Sequence, residues 1–142
     1  MRRRESRGFF SIDALFALTL LLTITAAFLN IYEGRRASAE GIGANLEAKM
    51  IGEKVASAIN TVYANGPNFS LKVDLPENIS GYSYKISLDN SIRRISVENS
   101  AWGTVAVPIV CKNVKNFVLN QENMKRQIQV FWEGSQLRIV NL

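Results

Sequence analysis

The first feature of the chain is an apolar run near its N-terminus. From Ala14 to Tyr32 it contains no charged residue, no proline and no glycine. A helix of that length, at about 1.5 Å per residue, nearly crosses a hydrocarbon core of about 30 Å. The pattern therefore predicts a membrane-spanning helix.

Beyond Tyr32 the helical pattern continues but becomes amphipathic. Apolar residues recur at steps of three and four, which predicts one helix face packed on a following domain. The residues of this predicted face are Ile42, Leu46, Met50, Ile51, Val55, Ala58, Ile59 and Val62. Gly66 suits a left-handed helix cap, and Pro67 cannot continue the hydrogen-bond ladder. We predict one helix over residues 9–64, with a membrane part over 9–32 and an amphipathic part over 33–64.

From Asn68 onward the apolar period changes to two, which is typical of strands with one buried face. The runs that predict strands are residues 69–75, 82–88, 105–109 and 114–119. Pro108 suits an edge strand, because proline cannot donate a ladder hydrogen bond. Residues 65–142 should form an antiparallel β-sheet or small β-sandwich of six or seven strands. The predicted fold class is α+β, a long and partly transmembrane N-terminal helix followed by this β domain.

Two hairpins can be assigned a register from their turns. A two-residue turn at Asn90-Ser91 predicts the pairs Ile86 with Ile95 and Tyr84 with Val97. A two-residue turn at Gly134-Ser135 predicts the pairs Trp132 with Leu137 and Val130 with Ile139.

One acidic residue, Asp13, interrupts the apolar region five residues after Gly8. An unpaired carboxylate there would cost several kcal/mol. A cut after Gly8 would create an α-amino group on Phe9, which could pair with Asp13 of the same chain or of a neighbouring one. The alternative is a helix-end acid that is stabilised at the membrane interface by the helix dipole.

These N-terminal residues resemble a type IV prepilin. The leader carries Arg2, Arg3, Arg4 and Arg7 and ends in Gly8. The mature chain would then begin with Phe9 and bear an acidic fifth residue, Asp13, before the apolar helix. The family usually has Glu at that fifth position, and the shorter Asp side chain changes the pairing geometry but keeps the charge.

The resemblance implies a structural subunit of a type IV pilus-like surface filament, with adhesion or surface attachment as its role. A prepilin peptidase would remove residues 1–8, the class III signal peptide, and the helix would wait in the membrane with its N-terminus in the cytoplasm. An assembly ATPase and a membrane platform protein would then move it into a bundle of identical subunits. No cofactor is implied.

Three alternatives remain open from the sequence. The first is a single-pass membrane-anchored extracellular binding domain that never polymerises. The second is a minor or tip subunit of the same machinery. The third is a conventional secretory signal cut at Ala37-Ser38-Ala39, although its apolar run exceeds the usual 7–15 residues.

The formal net charge of +5 belongs mostly to the leader. Of 17 basic and 12 acidic residues, four and one respectively lie in residues 1–8, which leaves 13 and 11. The concentration of basic residues in the leader indicates that the N-terminus lies in the cytoplasm, because cytoplasmic flanks of membrane helices are enriched in Lys and Arg. It does not indicate nucleic-acid binding. The basic residues outside the leader at 93–94, 112, 115 and 125–126 are interpreted as solvated surface, with nucleic acid an unlikely partner.

The chain contains no histidine, which excludes a Ser-His-Asp triad and a histidine metal site. Its carboxylates are scattered and no nucleotide-binding fingerprint appears, so we expect neither an enzyme nor a metal protein. The single cysteine, Cys111, cannot form an intrachain disulfide and is interpreted as a small apolar strand residue.

Two sequons, Asn68-Phe69-Ser70 and Asn78-Ile79-Ser80, fall at predicted turns on the outer side of the membrane. Asn68 and Asn78 are therefore candidate N-glycosylation sites. Together with the missing disulfide and the β-rich domain, they resemble archaeal pilins more than bacterial ones.

Overall fold

The computed structural model describes residues 12–120 and 122–142. The predicted leader and cleavage site, with Arg2, Arg3, Arg4, Arg7, Gly8 and Phe9, lie outside these residues. One helix, α1 (Ile12–Asn65), precedes seven strands. The chain divides into two compact units, the first ending at Ala39 and the second spanning Glu40–Leu142. The predicted α+β class with a long N-terminal helix is confirmed.

The helix ends where the sequence predicts, within one residue. Gly66 adopts a left-handed conformation with φ of 86°, and its N–H donates to the carbonyl of Val62 at 3.2 Å. Glycine enters this region without the steric cost that a Cβ brings. Pro67 follows and cannot extend the helix.

The seven strands form two antiparallel sheets within the second unit. Their bounds are β1 (Ser70–Asp74), β2 (Lys85–Asp89), β3 (Arg94–Asn99), β4 (Gly103–Pro108), β5 (Phe117–Leu119), β6 (Gln127–Glu133) and β7 (Gln136–Asn141). One sheet has the order β1-β6-β7 and the other the order β4-β3-β2-β5. Pro108 therefore lies on an edge strand, as predicted.

The predicted register is confirmed for one hairpin and wrong for the other. The β6–β7 register is confirmed, with Trp132 opposite Leu137 and Val130 opposite Ile139. The β2–β3 register is wrong by two residues, because Ile86 faces Val97 and Leu88 faces Ile95. The connecting turn spans four residues, 90–93, rather than two.

Local hydrogen bonds explain the longer β2–β3 turn. The carboxylate of Asp89 accepts from the backbone N–H and the hydroxyl of Ser91, at 2.9 and 2.6 Å. Arg93 then takes a left-handed conformation with φ of 51°. Because the error is an even number of residues, every side chain keeps the sheet face that the alternation predicted.

The core of the second unit is a single cluster of apolar side chains from α1 and both sheets. The helix contributes a buried face of Ala44, Ala48, Ile51, Gly52, Val55, Ala56, Ala58, Ile59 and Val62. The sequence prediction was wrong for Ile42, Leu46 and Met50, which are 62%, 57% and 68% exposed. Alanines take their place against the sheets, which allows the helix backbone to approach closely.

Gly52 lies at a close approach of α1 to the β4-β3-β2-β5 sheet. A Cβ built on Gly52 would lie 2.8 Å from Cγ2 of Val107 on β4 and 3.5 Å from Cγ2 of Val97 on β3. Val107 is itself buried and branched at Cβ, so it has little freedom to move aside.

We expect Gly52→Ala to lower the free energy of unfolding by roughly 1–3 kcal/mol, because overpacking outweighs the gain in helix propensity. Urea denaturation of the detergent-solubilised chain measures this change. Gly41→Ala is the matched control, since a Cβ there meets nothing within 4 Å. The control should stabilise by about 0.5–1 kcal/mol, and equal stabilisation by both substitutions would contradict the close approach.

Candidate assembly surfaces of the long helix

The N-terminal part of α1 exposes almost all of its apolar side chains. Ile12, Phe16 and Phe28 are 69%, 70% and 68% exposed. An 18-residue window of the helix has a mean hydropathy of 2.2, and none of that window is buried. By length and composition this helix can cross a membrane as a single-pass anchor.

The polar side chains of this segment are turned back onto the helix. The hydroxyls of Thr19, Thr23 and Thr25 each donate to the carbonyl four residues earlier at 2.8 Å. The side-chain amide of Asn30 does the same to Ala26 at 3.0 Å. Because an unsatisfied polar group in hydrocarbon costs several kcal/mol, these bonds suit a segment without water around it.

Asp13 is the acid in the first turn of α1 and is exposed. It is the one charged residue between Ile12 and Tyr32. The N-terminal end of a helix carries partial positive charge, which favours a carboxylate at this position. Its proposed partner, the α-amino group of Phe9, belongs to the part of the chain outside the described residues.

A second exposed apolar surface lies on α1 within the second unit. We call it the outer ridge and define it by Ile42, Leu46 and Met50, which repeat at four-residue steps. With 3.6 residues per turn, Leu46 lies about 180° around the helix from the buried Val55. The ridge therefore faces away from the two sheets. Sequence periodicity found these residues but placed them on the wrong side.

The two sequons lie on exposed turns at different places in the second unit. Asn68 is exposed between the helix cap and β1, and Asn78 is exposed between β1 and β2. The Ser70 hydroxyl accepts a hydrogen bond from the Gln129 side chain at 3.2 Å. Ser80 donates from its backbone N–H and its hydroxyl to Oε2 of Glu47, at 3.0 and 3.2 Å. The helix thus holds the turn that carries the second sequon, a contact the sequence did not indicate.

Tyr84 anchors the same β1–β2 connection from inside. Its hydroxyl donates to the carbonyl of Pro76 at 2.6 Å, and the residue is 4% exposed. Burial disfavours the phenolate and raises the pKa of Tyr84 to about 12.

This raised pKa predicts a loss of stability in alkali. Below the ordinary tyrosine pKa of about 10 both states are protonated. Between pH 10 and 12 the unfolded chain ionises Tyr84 while the folded chain retains the proton, so the free energy of unfolding falls. Urea denaturation at pH 8 to 12 should show this decline, and Tyr84→Phe should flatten it relative to Tyr82→Phe, whose ring is 55% exposed. An unchanged slope in Tyr84→Phe would contradict the assignment.

Within residues 12–120 and 122–142, no group of three or more His, Cys, Asp or Glu side chains could hold a metal ion. Cys111 is buried, and burial raises the pKa of its thiol. Comparison of the chain with family models, curated proteins and solved structures finds no match.

Proposed function

We propose that this chain is a structural subunit of a type IV pilus-like surface filament, with surface attachment as its role. The observation that carries the proposal is that α1 exposes apolar side chains in both units. In the first unit they cover the helix from Ile12 to Tyr32, and in the second they form the outer ridge. Such surfaces need either lipid or neighbouring helices.

Identical helices are a suitable replacement for lipid around the first unit. Helix packing exchanges contacts with acyl chains for contacts with equally apolar side chains, so leaving the membrane costs little. The back-bonded hydroxyls of Thr19, Thr23 and Thr25 need no water in either setting. The same helix can therefore serve first as an anchor and then as part of a filament core.

The outer ridge supports the same arrangement in the second unit. It lies opposite the face of α1 that packs on the sheets, so a neighbouring helix can dock there without displacing the β domain. The sheets then form the outer surface of the filament. An anchor that never polymerised would leave Ile42, Leu46 and Met50 in water.

Asp13 has a specific role in this proposal. Cleavage after Gly8 creates an α-amino group on Phe9, and Asp13 of one subunit pairs with that amine on a neighbour. A charge pair inside an apolar bundle is satisfied at one axial position only, so it sets the register between subunits. The prepilin peptidase, assembly ATPase and platform protein enter as the partners that the N-terminal resemblance implies.

The test is mass spectrometry of the native protein combined with electron microscopy of cell-surface material. A mature chain beginning at Phe9, recovered from filaments, is the expected result. An intact Met1 with dispersed molecules in detergent would instead support the single-pass anchored binding domain. A processed chain found in filaments at low copy number would assign it as a minor or tip subunit.

A further inference from the structure

One end of the second unit brings together two separate chain segments that carry cations. The N–H of Ile109 donates to the carbonyl of Arg93 at 2.9 Å, and Arg94 lies opposite Pro108 in the β3–β4 ladder. The N–H of Asn90 donates to the side-chain carbonyl of Asn116 at 2.8 Å. The β2–β3 turn is therefore held against the segment that follows β4.

We call this end the basic tip. Its exposed side chains are Ile92, Arg93, Arg94, Val110, Lys112 and Lys115. The sequence interpretation treated the doublet at 93–94 and the two lysines as unrelated solvated charges. The hydrogen bonds of the four-residue turn hold it against both ends of the segment, residues 109–116, that carries the two lysines.

Among the described residues, the cations of the basic tip lack the ion pairs or hydrogen bonds that most other cations in the second unit form. Lys49, Lys85, Arg126 and Arg138 form ion pairs with Glu53, Glu98, Glu77 and Glu133, and Lys54 donates to the carbonyl of Asp74. Within the part of the chain that the structure describes, the four cations of the tip make no ion pair. Asp89, the cross-strand neighbour of Arg94, is the one acid in residues 89–94 and 109–116.

Two aliphatic side chains project among these charges. Val110 is 74% exposed and Ile92 is 59% exposed, while Ile109 and Cys111 on either side of Val110 are buried. The backbone at Val110 is held in place, because its N–H donates to Oδ1 of Asn60 at 3.2 Å. The alternation therefore aims Val110 and Lys112 outward together.

We propose that the basic tip docks on the surface of an anionic lipid bilayer. Long cationic side chains reach phosphate headgroups while aliphatic side chains enter the interfacial region. Single-stranded nucleic acid is the weaker fit, since residues 90–94 and 109–116 contain no aromatic side chain on which a base could stack. The site would give the chain a second lipid contact, separate from its apolar helix.

The assay uses the full chain reconstituted in phosphatidylcholine vesicles, with capture of fluorescent vesicles added from outside. Vesicles containing phosphatidylglycerol should be captured and pure phosphatidylcholine vesicles should not. Capture should weaken as ionic strength rises, because exposed charges are screened. The chain is not assembled in this assay, so its outcome is independent of whether filaments form.

Variants locate the contact on the protein. The double substitution Arg93→Ala with Lys112→Ala should reduce affinity for anionic vesicles by about 25-fold, at about fivefold per cation. Val110→Ser should reduce it several-fold at every salt concentration. Lys72→Ala with Lys125→Ala is the matched control, since these cations also lack an ion pair among the described residues but lie outside the tip.

Three results would overturn the proposal. They are equal capture of neutral and anionic vesicles, an equal loss in the control double variant, and competition by duplex DNA at the same charge concentration as the lipid. Circular dichroism on each variant establishes that the fold is retained.

Discussion

Leu46→Glu should abolish filament formation while leaving the β domain folded. Leu46 is 57% exposed in the single chain, so its replacement should change the free energy of unfolding by less than about 0.5 kcal/mol. In the proposed filament the same position would lie between helices, where an unpaired carboxylate costs several kcal/mol. We expect at least a tenfold drop in sedimentable filaments, measured by immunoblot of sheared cell-surface fractions.

Asn45→Glu is the matched control for this experiment. It introduces the same charge one residue earlier, at an exposed position about 100° around the helix from Leu46. Leu46→Met should retain assembly, because it keeps an apolar side chain of similar volume. Wild-type filament yield in Leu46→Glu would contradict the proposal that the outer ridge is a contact between subunits.

Asp13→Ala should be processed normally and should assemble poorly. In the proposed bundle, removing the carboxylate would leave the α-amino group of a neighbouring Phe9 unpaired, and breaking a buried pair on one side costs about 3–5 kcal/mol. That cost repeats at every subunit, so we expect at least a tenfold loss of filaments. Mass spectrometry should still find the mature chain beginning at Phe9.

Two further substitutions separate charge from shape at this position. Asp13→Asn keeps the size and removes the charge, so it should fail as Asp13→Ala does. Asp13→Glu keeps the charge, and it should restore assembly if the longer arm reaches the amine. Normal filament yield in Asp13→Asn would contradict the proposal that Asp13 sets the register between subunits. Asp13 would then be only a helix-end acid that the helix dipole stabilises.

The two helix substitutions also distinguish the proposed filament from a simple anchor. An anchored binding domain needs the apolar segment but neither the ridge nor the Asp13 pair, so both variants would then behave as the wild type. Loss of filaments in both, with insertion in the membrane intact, supports contacts between identical helices. The vesicle assay on the basic tip is unaffected by either outcome.

Local chemistry allowed much of the fold to be predicted from the chain alone. The helix end at Asn65, the β6–β7 register and the edge position of Pro108 each depend on a few neighbouring residues. Gly66 accepts a positive φ, and Gly134-Ser135 closes a two-residue turn. Pro108 has no backbone N–H to donate to a neighbouring strand. The apolar segment and the acid beside it, Asp13, could likewise be predicted from the sequence, because the length and the charge of a helix decide whether it suits a membrane.

Tertiary packing decided three features that periodicity could not. Residues 40–65 of α1 carry apolar side chains on two faces, and the pattern does not say which of them meets a sheet. In the structure the face with Ala44, Ala48 and Gly52 packs on the sheets, because small residues allow the helix backbone to approach Val107 closely. Leu46 lies on the exposed face. The second feature is the length of the β2–β3 turn, which the bonds from Ser91 to Asp89 set and which apolar periodicity does not indicate. The third is the contact of this turn with residues 109 and 116, which depends on hydrogen bonds between segments distant in sequence.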